Sequence, residues 1–406
     1  MNDFKVINDP VFGFIKIPRG LLLDIVKHPL FQRLSRINQL GLASVVYPGA
    51  RHTRFQHSLG AFHLMSEAIL SLQHKGLFIF DSEAEAVEAA ILMHDIGHGP
   101  FSHVLENTLI SGISHEDISL MMMEQINRDL GGQLNLAIAI YKDQYPKRFL
   151  HQLISSQLDM DRLDYLCRDS FFTGVREGII GVARIIKMLD VKDDQLVVEQ
   201  KGIYTLENYL MARRLMYWQV YLHKTALAAA EMLTVALERA KELVNGGIQL
   251  PCSPSLLYFL KNDVTPQFAK THPEWLDHYV QLDDAEIETA MKCWAACNDP
   301  VLARLAAGYT HRHLFKAIEA DAPVTEATLQ SHREQIARRL NITLHEASYL
   351  VRSREIGQTL YSTHDDHISI LMKDGSVRDI SRFSELLSNT LADRPTKRYY
   401  LFQEVL

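Results

Sequence analysis

Over residues 91–103 the chain reads Ile91-Leu-Met-His94-Asp95-Ile-Gly97-His98-Gly99-Pro100-Phe-Ser-His103, a run holding three histidines and one aspartate. Ala86, Val87, Ala89, Ala90, Ile91 and Met93 precede the His-Asp pair with almost no polar relief, as in a buried helix. Gly97, Gly99 and Pro100 then stop that helix. A His-Asp pair at the inner end of a buried helix is costly unless both groups are bound. Neutral imidazole with carboxylate suits Mn, Fe, Zn or Ni. His98, one turn after His94, shares its face if the turn continues. An isolated His-Asp dipeptide is more often a hydrogen-bonded helix end; the additional histidines and the Gly-His-Gly-Pro tail favour metal binding here.

Three other stretches carry polar groups of the same kind. Arg54-Phe-Gln-His57 opens a helix, and His57 alone would be a capping or core histidine. Asp159, Asp161, Asp164 and Asp169, with Arg162 and Arg168, are threaded through Leu, Met and Tyr. They spread around the helix cylinder, so some face inward, either as a salt-bridge network or as ligands. Arg213, Tyr217, Tyr221 and Lys224 form a stripe that is either an interface edge or a pocket wall, with Tyr on a sugar or base and cations on phosphates. His57, His94, Asp95 and Asp161, in that order, make a four-ligand site with positions left for water and substrate. A metal there lowers the pKa of water and polarises a phosphoryl oxygen.

These groups need rigid elements behind them. Residues 4–18 read as a β-hairpin, and 20–40 as helix broken at Pro29. Residues 83–96 form the buried helix, with Ser82 and Glu85 as a capping box. Residues 104–144 are helical with interruptions, Ser114-His115-Glu116 opening one segment. A hairpin turns at Asp193-Asp194. A long helix is expected over about 206–243. Composition changes past Gly246-Gly247: residues 255–345 read as helical and polar. An Asp374-Gly375 turn, a helix over about 381–391 and a strand at Arg398–Phe402 close the chain. The fold class is mainly α with minor α+β character: a helical core over 1–245, then a helical region over 246–406 ending in strand, helix and strand, a small C-terminal α/β lobe.

Length and composition fit an ordinary globular chain: 406 residues, 47% hydrophobic and 22% charged. The net charge of −7 argues against a broad polyanion-binding surface. Cys167, Cys252, Cys293 and Cys297 read as buried reduced thiols rather than a disulfide scaffold. No signal pattern and no apolar run of membrane-spanning length is found, so a cytoplasmic location and no membrane partner are expected.

Taken together, these motifs resemble the HD-domain phosphohydrolases, and among them the deoxynucleoside triphosphate triphosphohydrolases, both bacterial dGTPase-like and the mammalian SAM-and-HD-domain dNTPase. The resemblance runs through Val6–Pro10, Phe31–Leu34, Gln39–Gly41, Pro48–Gly60, His94–His103, Asp159–Tyr165 and Tyr221–Lys224. It implies an HD-domain helical core with His57, His94, Asp95 and Asp161 as metal ligands. It places His98, His115 and Glu106 near the α-phosphate and turns His103 to the phosphates. Arg54, Arg162 and Arg213 fall at phosphate-holding positions. Gln39 and Leu40 lie where the family rejects a 2′-hydroxyl, and Tyr165, Asp169 and Tyr221 where it holds the deoxyribose. Glu106 replaces a shorter Asp of the mammalian enzyme, and Arg162 replaces Lys.

The implied reaction is metal-dependent hydrolysis of a dNTP to deoxynucleoside and inorganic tripolyphosphate, with Mg accompanying the triphosphate as a further metal. The implied assembly is a homo-oligomer, dimer or tetramer. In the mammalian relatives a guanine nucleotide activates assembly; Lys27 and Ser35 stand at two of the positions that read it, so activation in that manner is not expected, although Gln32 and Arg33 keep some anion-binding capacity. Two alternatives remain: another nucleotide phosphoester as substrate, or a nucleic-acid-binding defence protein, which the acidic charge balance does not support.

Overall fold

The computed structural model describes residues 3–102, 104, 108–358, 367–384 and 396–405. The expected catalytic positions His103 and Glu106 lie outside the described residues. The architecture is mainly α with minor β, as the periodicity predicted.

The expected hairpin forms from β1 (Phe4–Asp9) and β2 (Gly13–Pro18), antiparallel with Ile7 opposite Ile15. Helix α1 (Leu21–Lys27) gives way at Pro29 to the short α2 (Pro29–Gln32) and a 3-10 turn over Arg33–Arg36. Two helices then make the floor of the site. α3 (Arg54–His74) is capped by Thr53, whose backbone N–H donates to Gln56 Oε1 at 2.8 Å. α4 (Asp81–Met93) has Ala89–Met93 wholly inaccessible to solvent. Its cap differs from the expected Ser82–Glu85 box: the helix starts earlier, and Glu83 reaches back to the Phe80 N–H at 2.8 Å. Phe is a poor cap, so sequence pattern points to the next hydroxyl instead.

α5 (His115–Asp129), capped by Ser114, packs on α6 (Asn135–Tyr141), which lies against α4, and α7 (Arg148–Gln152) follows. α8 (Met160–Thr173) lies against α3 and carries the run of carboxylates. After α9 (Val182–Met188), β3 (Leu189–Lys192) and β4 (Gln195–Glu199) form the hairpin expected at Asp193-Asp194.

The single long helix expected over 206–243 is two. α10 (Ile203–Met216) widens into a π turn over Tyr217–Tyr221, where Leu222 N–H donates to Tyr217 O at 2.7 Å. α11 (Lys224–Asn245) restarts after His223. No Pro or Gly marks the break, so propensity could not show it. Tyr221, within this turn, leaves the straight-helix stripe and meets Asp169.

Downstream come α12 (Pro254–Lys261), α13 (Pro266–Thr271), α14 (Trp275–Tyr279), α15 (Asp284–Trp294) and α16 (Pro300–Thr310). β5 (Lys316–Ala320) corrects the all-helical reading of 255–345. α17 (Glu326–Leu340) and α18 (Leu344–Ser348) precede β6 (Val351–Gln358), β7 (Ser369–Leu371), β8 (Val377–Asp379) and β9 (Thr396–Gln403). β9 is central in an antiparallel sheet ordered β5-β9-β6. β7 pairs in parallel with β4, so the late strands extend the early hairpin. The helix expected over 381–391 has one 3-10 turn, Ile380–Arg382, in its described part; residues 385–391 lie outside it. Buried apolar side chains from both halves form one cluster. The cysteines are free, but Cys293 is exposed rather than buried, and the other three are half-buried.

Candidate metal and catalytic centre

His57 lies in the first turn of α3, His94 caps the C-terminus of α4, and Asp161 sits in the first turn of α8. Their ligating atoms converge. His57 Nε2 is 3.3 Å from His94 Nε2 and 3.1 Å from Asp161 Oδ1, and His94 Nε2 is 3.4 Å from Asp161 Oδ1. The three ligating atoms lie within 4.8 Å of one another. Asp95 stands beside them, its oxygens 3.5 Å from His94 Nε2 and 3.7 Å from His57 Nε2.

The outer hydrogen bonds fix which ring nitrogen faces inward. His57 Nδ1 is 2.7 Å from Asp164 Oδ2, and His94 Nδ1 is 2.7 Å from the Ile91 carbonyl. A carbonyl and an ionised carboxylate only accept, so both Nδ1 atoms carry hydrogen. In the neutral rings both Nε2 lone pairs then point at each other and at the Asp161 carboxylate. Only a cation satisfies three converging acceptors, and imidazole with carboxylate suits a divalent transition metal.

Without a metal, protons serve. Burial disfavours charge on His57, but hydrogen bonds to Asp161 and Asp164 outweigh it and push the imidazole up to about 10. Burial likewise opposes charge on Asp161, yet hydrogen bonds to His57 and His94 hold its carboxyl well below the usual range.

The support behind His57 was not assigned from sequence. Asp164 is fully buried and bound by Arg168 through Nε and Nη2, both at 2.9 Å, and Arg168 Nη1 reaches Asp9 Oδ2 at 2.7 Å. Gly60, one turn after His57, lets this pair in: a Cβ there would overlap Asp164 and Arg168. The chain Asp9–Arg168–Asp164–His57 thus ties the N-terminal hairpin to the metal cluster. The i, i+4 spacing of Asp164 and Arg168 was visible, but their partners lie far away in sequence.

His98 is buried against the same carboxylate, Nε2 3.4 Å from Asp95 Oδ1, and stacks on His115 with ring centroids 3.9 Å apart. Arg54, expected on phosphate, donates to Asp95 Oδ2 at 2.6 Å and Ser102 Oγ at 2.8 Å. Burial opposes the Asp95 charge, but His94, His98 and Arg54 together hold its carboxyl well below the ordinary value. Arg162 is turned to its own helix start, donating to the Ser156 carbonyl at 2.7 Å and to Asp159 at 3.1 Å. Burial pushes the Asp159 carboxyl up to about 6 despite Arg162. Arg213 donates to Gln157 Oε1 at 2.8 Å.

The expected sugar-side groups also meet. Asp169, almost fully buried, accepts from Tyr221 O–H at 2.8 Å and lies 2.8 Å from His52 Nε2. Tyr165 packs edge-on to Tyr221 at 6.1 Å. His52, which the sequence does not single out, stacks on Phe172 with ring centroids 4.5 Å apart. Gln39 binds the His52 carbonyl through its backbone N–H at 2.9 Å, and its side-chain Oε1 is buried without a hydrogen-bond donor among the described residues. Leu40 is half-buried against the core. Arg33, credited with anion binding, is instead fully buried beneath the His98 loop.

Comparison with known proteins agrees with this geometry. The HD domain model matches residues 54–169 and the HD associated region matches 180–249. A crystal structure of a phosphohydrolase from Bacteroides thetaiotaomicron superposes with a TM-score of 0.96 at 59% identity, covering 99% of this chain and 100% of that one. The uncharacterised protein YwfO of Bacillus subtilis is 31% identical over 98% of this chain and 93% of its own length. The deoxynucleoside triphosphate triphosphohydrolase SAMHD1 homolog of Dictyostelium discoideum is 30% identical over 66% of this chain and 57% of its own length. Among the described residues, no helix is long and apolar enough to cross a membrane. With the histidines, the aspartates and the matched domain in register, the chain belongs to the HD-domain phosphohydrolase superfamily.

Proposed function

We propose that this phosphohydrolase cleaves deoxynucleoside triphosphates at the α-phosphorus, releasing deoxynucleoside and inorganic tripolyphosphate. The observation that carries the reading is the convergence of His57 Nε2, His94 Nε2 and Asp161 Oδ1, with Asp169 further along the Asp161 helix hydrogen-bonded to Tyr221 and His52. His57, His94, Asp95 and Asp161 would hold a divalent Mn, Fe, Zn or Ni ion, which when bound supplies Lewis acidity toward a phosphoryl oxygen and toward water. Mg accompanying the triphosphate fits the same reading.

The chain's own residues do the rest. Asp164 and the Ile91 carbonyl keep both imidazoles in the ligating tautomer. Arg54 neutralises Asp95 and, with Arg162 and Arg213, sets a positive field for the phosphates. Asp169 has spare lone pairs beyond those used by Tyr221 and His52, and accepts the 3′-hydroxyl. Tyr165 packs on the sugar, and Gln39 with Leu40 crowds the 2′ carbon. Water oxygen forms the new bond to the α-phosphorus, the bond to the 5′-oxygen breaks, and the stacked pair His98–His115, with Glu106 and His103, delivers the proton to that oxygen. A cytoplasmic homo-oligomer, dimer or tetramer, is the working form we infer.

The test is a panel of dNTPs and NTPs with Mn or Mg, products resolved by chromatography. Tripolyphosphate with deoxynucleoside is expected, and little turnover of NTPs. Orthophosphate or pyrophosphate in its place would assign another nucleotide phosphoester. Retention on single-stranded DNA without turnover of any nucleotide would favour a binding protein.

A further inference from the structure

Arg33 is 1% exposed, yet among the described residues no carboxylate lies within ion-pair distance of it. Burial lowers its pKa from the ordinary value. What surrounds the guanidinium is backbone carbonyl and a ring. Nη1 donates to the His98 carbonyl at 2.7 Å and approaches the Ile96 carbonyl at 3.5 Å. The guanidinium carbon sits 5.0 Å from the centre of the Tyr279 ring. Tyr279 O–H in turn donates to the Gly97 carbonyl at 2.7 Å. From the other side, Ser119 Oγ accepts from Gly97 N–H at 2.9 Å and donates to the His94 carbonyl at 2.9 Å.

The carbonyls after α4 are those a helix leaves without intrahelical donors. They carry the negative end of the helix dipole, which is the physical reason a lone cation is tolerated there. His94, Ile96, Gly97 and His98 therefore have every carbonyl held by a side chain from another element: α5, the 3-10 turn after α2, or α14. The glycines are fitted to this enclosure. A Cβ on Gly97 would overlap the backbone of α5, and one on Gly99 would stand 2.8 Å from the Tyr279 hydroxyl oxygen.

We propose that Arg33 and Tyr279 are positioning residues that clamp the Ile96–Gly99 backbone and so set the placement of the His98 imidazole relative to Asp95, acting on the catalytic step rather than on metal or substrate binding. Neither side chain is a ligand or a proton donor in this account; each acts through the loop. Tyr279 comes from the C-terminal half, so that half completes the active centre across 182 residues of sequence. The proposal rests on reading His98 as part of the phosphohydrolase centre.

The experiment uses the full chain loaded with Mn. Tyr279→Phe removes one hydroxyl and keeps the ring under Arg33. Hydrogen exchange at the amides of residues 96–99 should speed up, kcat for dGTP should fall by about 10-fold, and KM and bound Mn should stay at wild-type values. Gly99→Ala displaces the same hydroxyl from the loop side and should reproduce the loss. The double variant should be no worse than the poorer single, because both act on one hydrogen bond.

Wild-type exchange and kcat in Tyr279→Phe would overturn the proposal. So would a loss appearing in KM or Mn content, or losses that multiply in the double variant. If the wild type does not turn over dGTP, the substrate reading fails instead, and the exchange and metal measurements still decide the clamp.

Discussion

Replacing Asp164 by Asn should weaken both metal binding and the fold, and the two losses have separate causes. In the native protein Asp164 Oδ2 accepts from His57 Nδ1 at 2.7 Å, which leaves the Nε2 lone pair for the metal. An amide can present its NH2 there, turning Nδ1 into the acceptor and placing hydrogen on Nε2, where a ligand lone pair is needed. Loss of such an orienting partner typically costs 10- to 100-fold in metal affinity, or about 1.4–2.7 kcal/mol.

The same change strips charge from a fully buried pair with Arg168, whose disruption costs about 3–5 kcal/mol of stability. Asp9→Asn separates the two effects. It removes the other carboxylate on Arg168, 2.7 Å from Nη1, without touching His57. Both variants should unfold at lower urea concentration, but only Asp164→Asn should lose Mn in competition with a chelator. Wild-type Mn affinity in Asp164→Asn, or equal affinity losses in the two variants, would refute the tautomer argument.

Four further outcomes follow from individual groups. Because the metal-free His57 holds its proton to about pH 10, Mn binding at neutral pH should release a proton and strengthen about tenfold per pH unit; a calorimetric enthalpy independent of buffer ionisation would contradict this. Burial raises the Asp284 carboxyl to about 6 despite the Asn38 N–H it accepts. Its contribution is thus fully present below the unfolded value near 4 and lost as pH rises through 6, about 3 kcal/mol in all. Asp284→Asn should therefore gain on the wild type in urea melts between pH 4.5 and 7.5, and a constant difference would show the group is not perturbed. Tyr221→Phe, which removes a hydroxyl 2.8 Å from Asp169, should raise KM for dNTPs several-fold with little change in kcat, whereas an unchanged KM would take Asp169 out of sugar binding. Light scattering should give a dimer or larger without GTP, and GTP-driven assembly with a steep rise in rate would mean that Lys27 and Ser35 do not mark the loss of that control.

The parts legible in the sequence are those with a local signature. The hairpin over residues 4–18 shows in alternation and turn residues, and α4 in its unbroken apolar run. His94 and Asp95 stand out as polar groups ending an apolar run, whereas His57 and Asp161 become candidates only through the ordered set of motifs. What stayed hidden depends on distant partners or on geometry without a sequence marker. The link from Arg168 to Asp9 spans 159 residues, and that from His52 to Asp169 spans 117. Arg33 reads as an anion-binding cation until its burial beneath the His98 loop is seen. β5 is a short Lys-Ala-Ile-Glu-Ala run with little alternation, stabilised by its pairing with β9. The π turn over Tyr217–Tyr221 lies among ordinary helix formers, yet it delivers Tyr221 to Asp169.

The most direct test of the account is the position of bond cleavage. The Mn-loaded enzyme should hydrolyse dGTP in 18O-labelled water and place the label in tripolyphosphate, leaving the deoxyguanosine 5′-oxygen unlabelled. Label in orthophosphate or pyrophosphate, or in the deoxynucleoside itself, would contradict attack at the α-phosphorus.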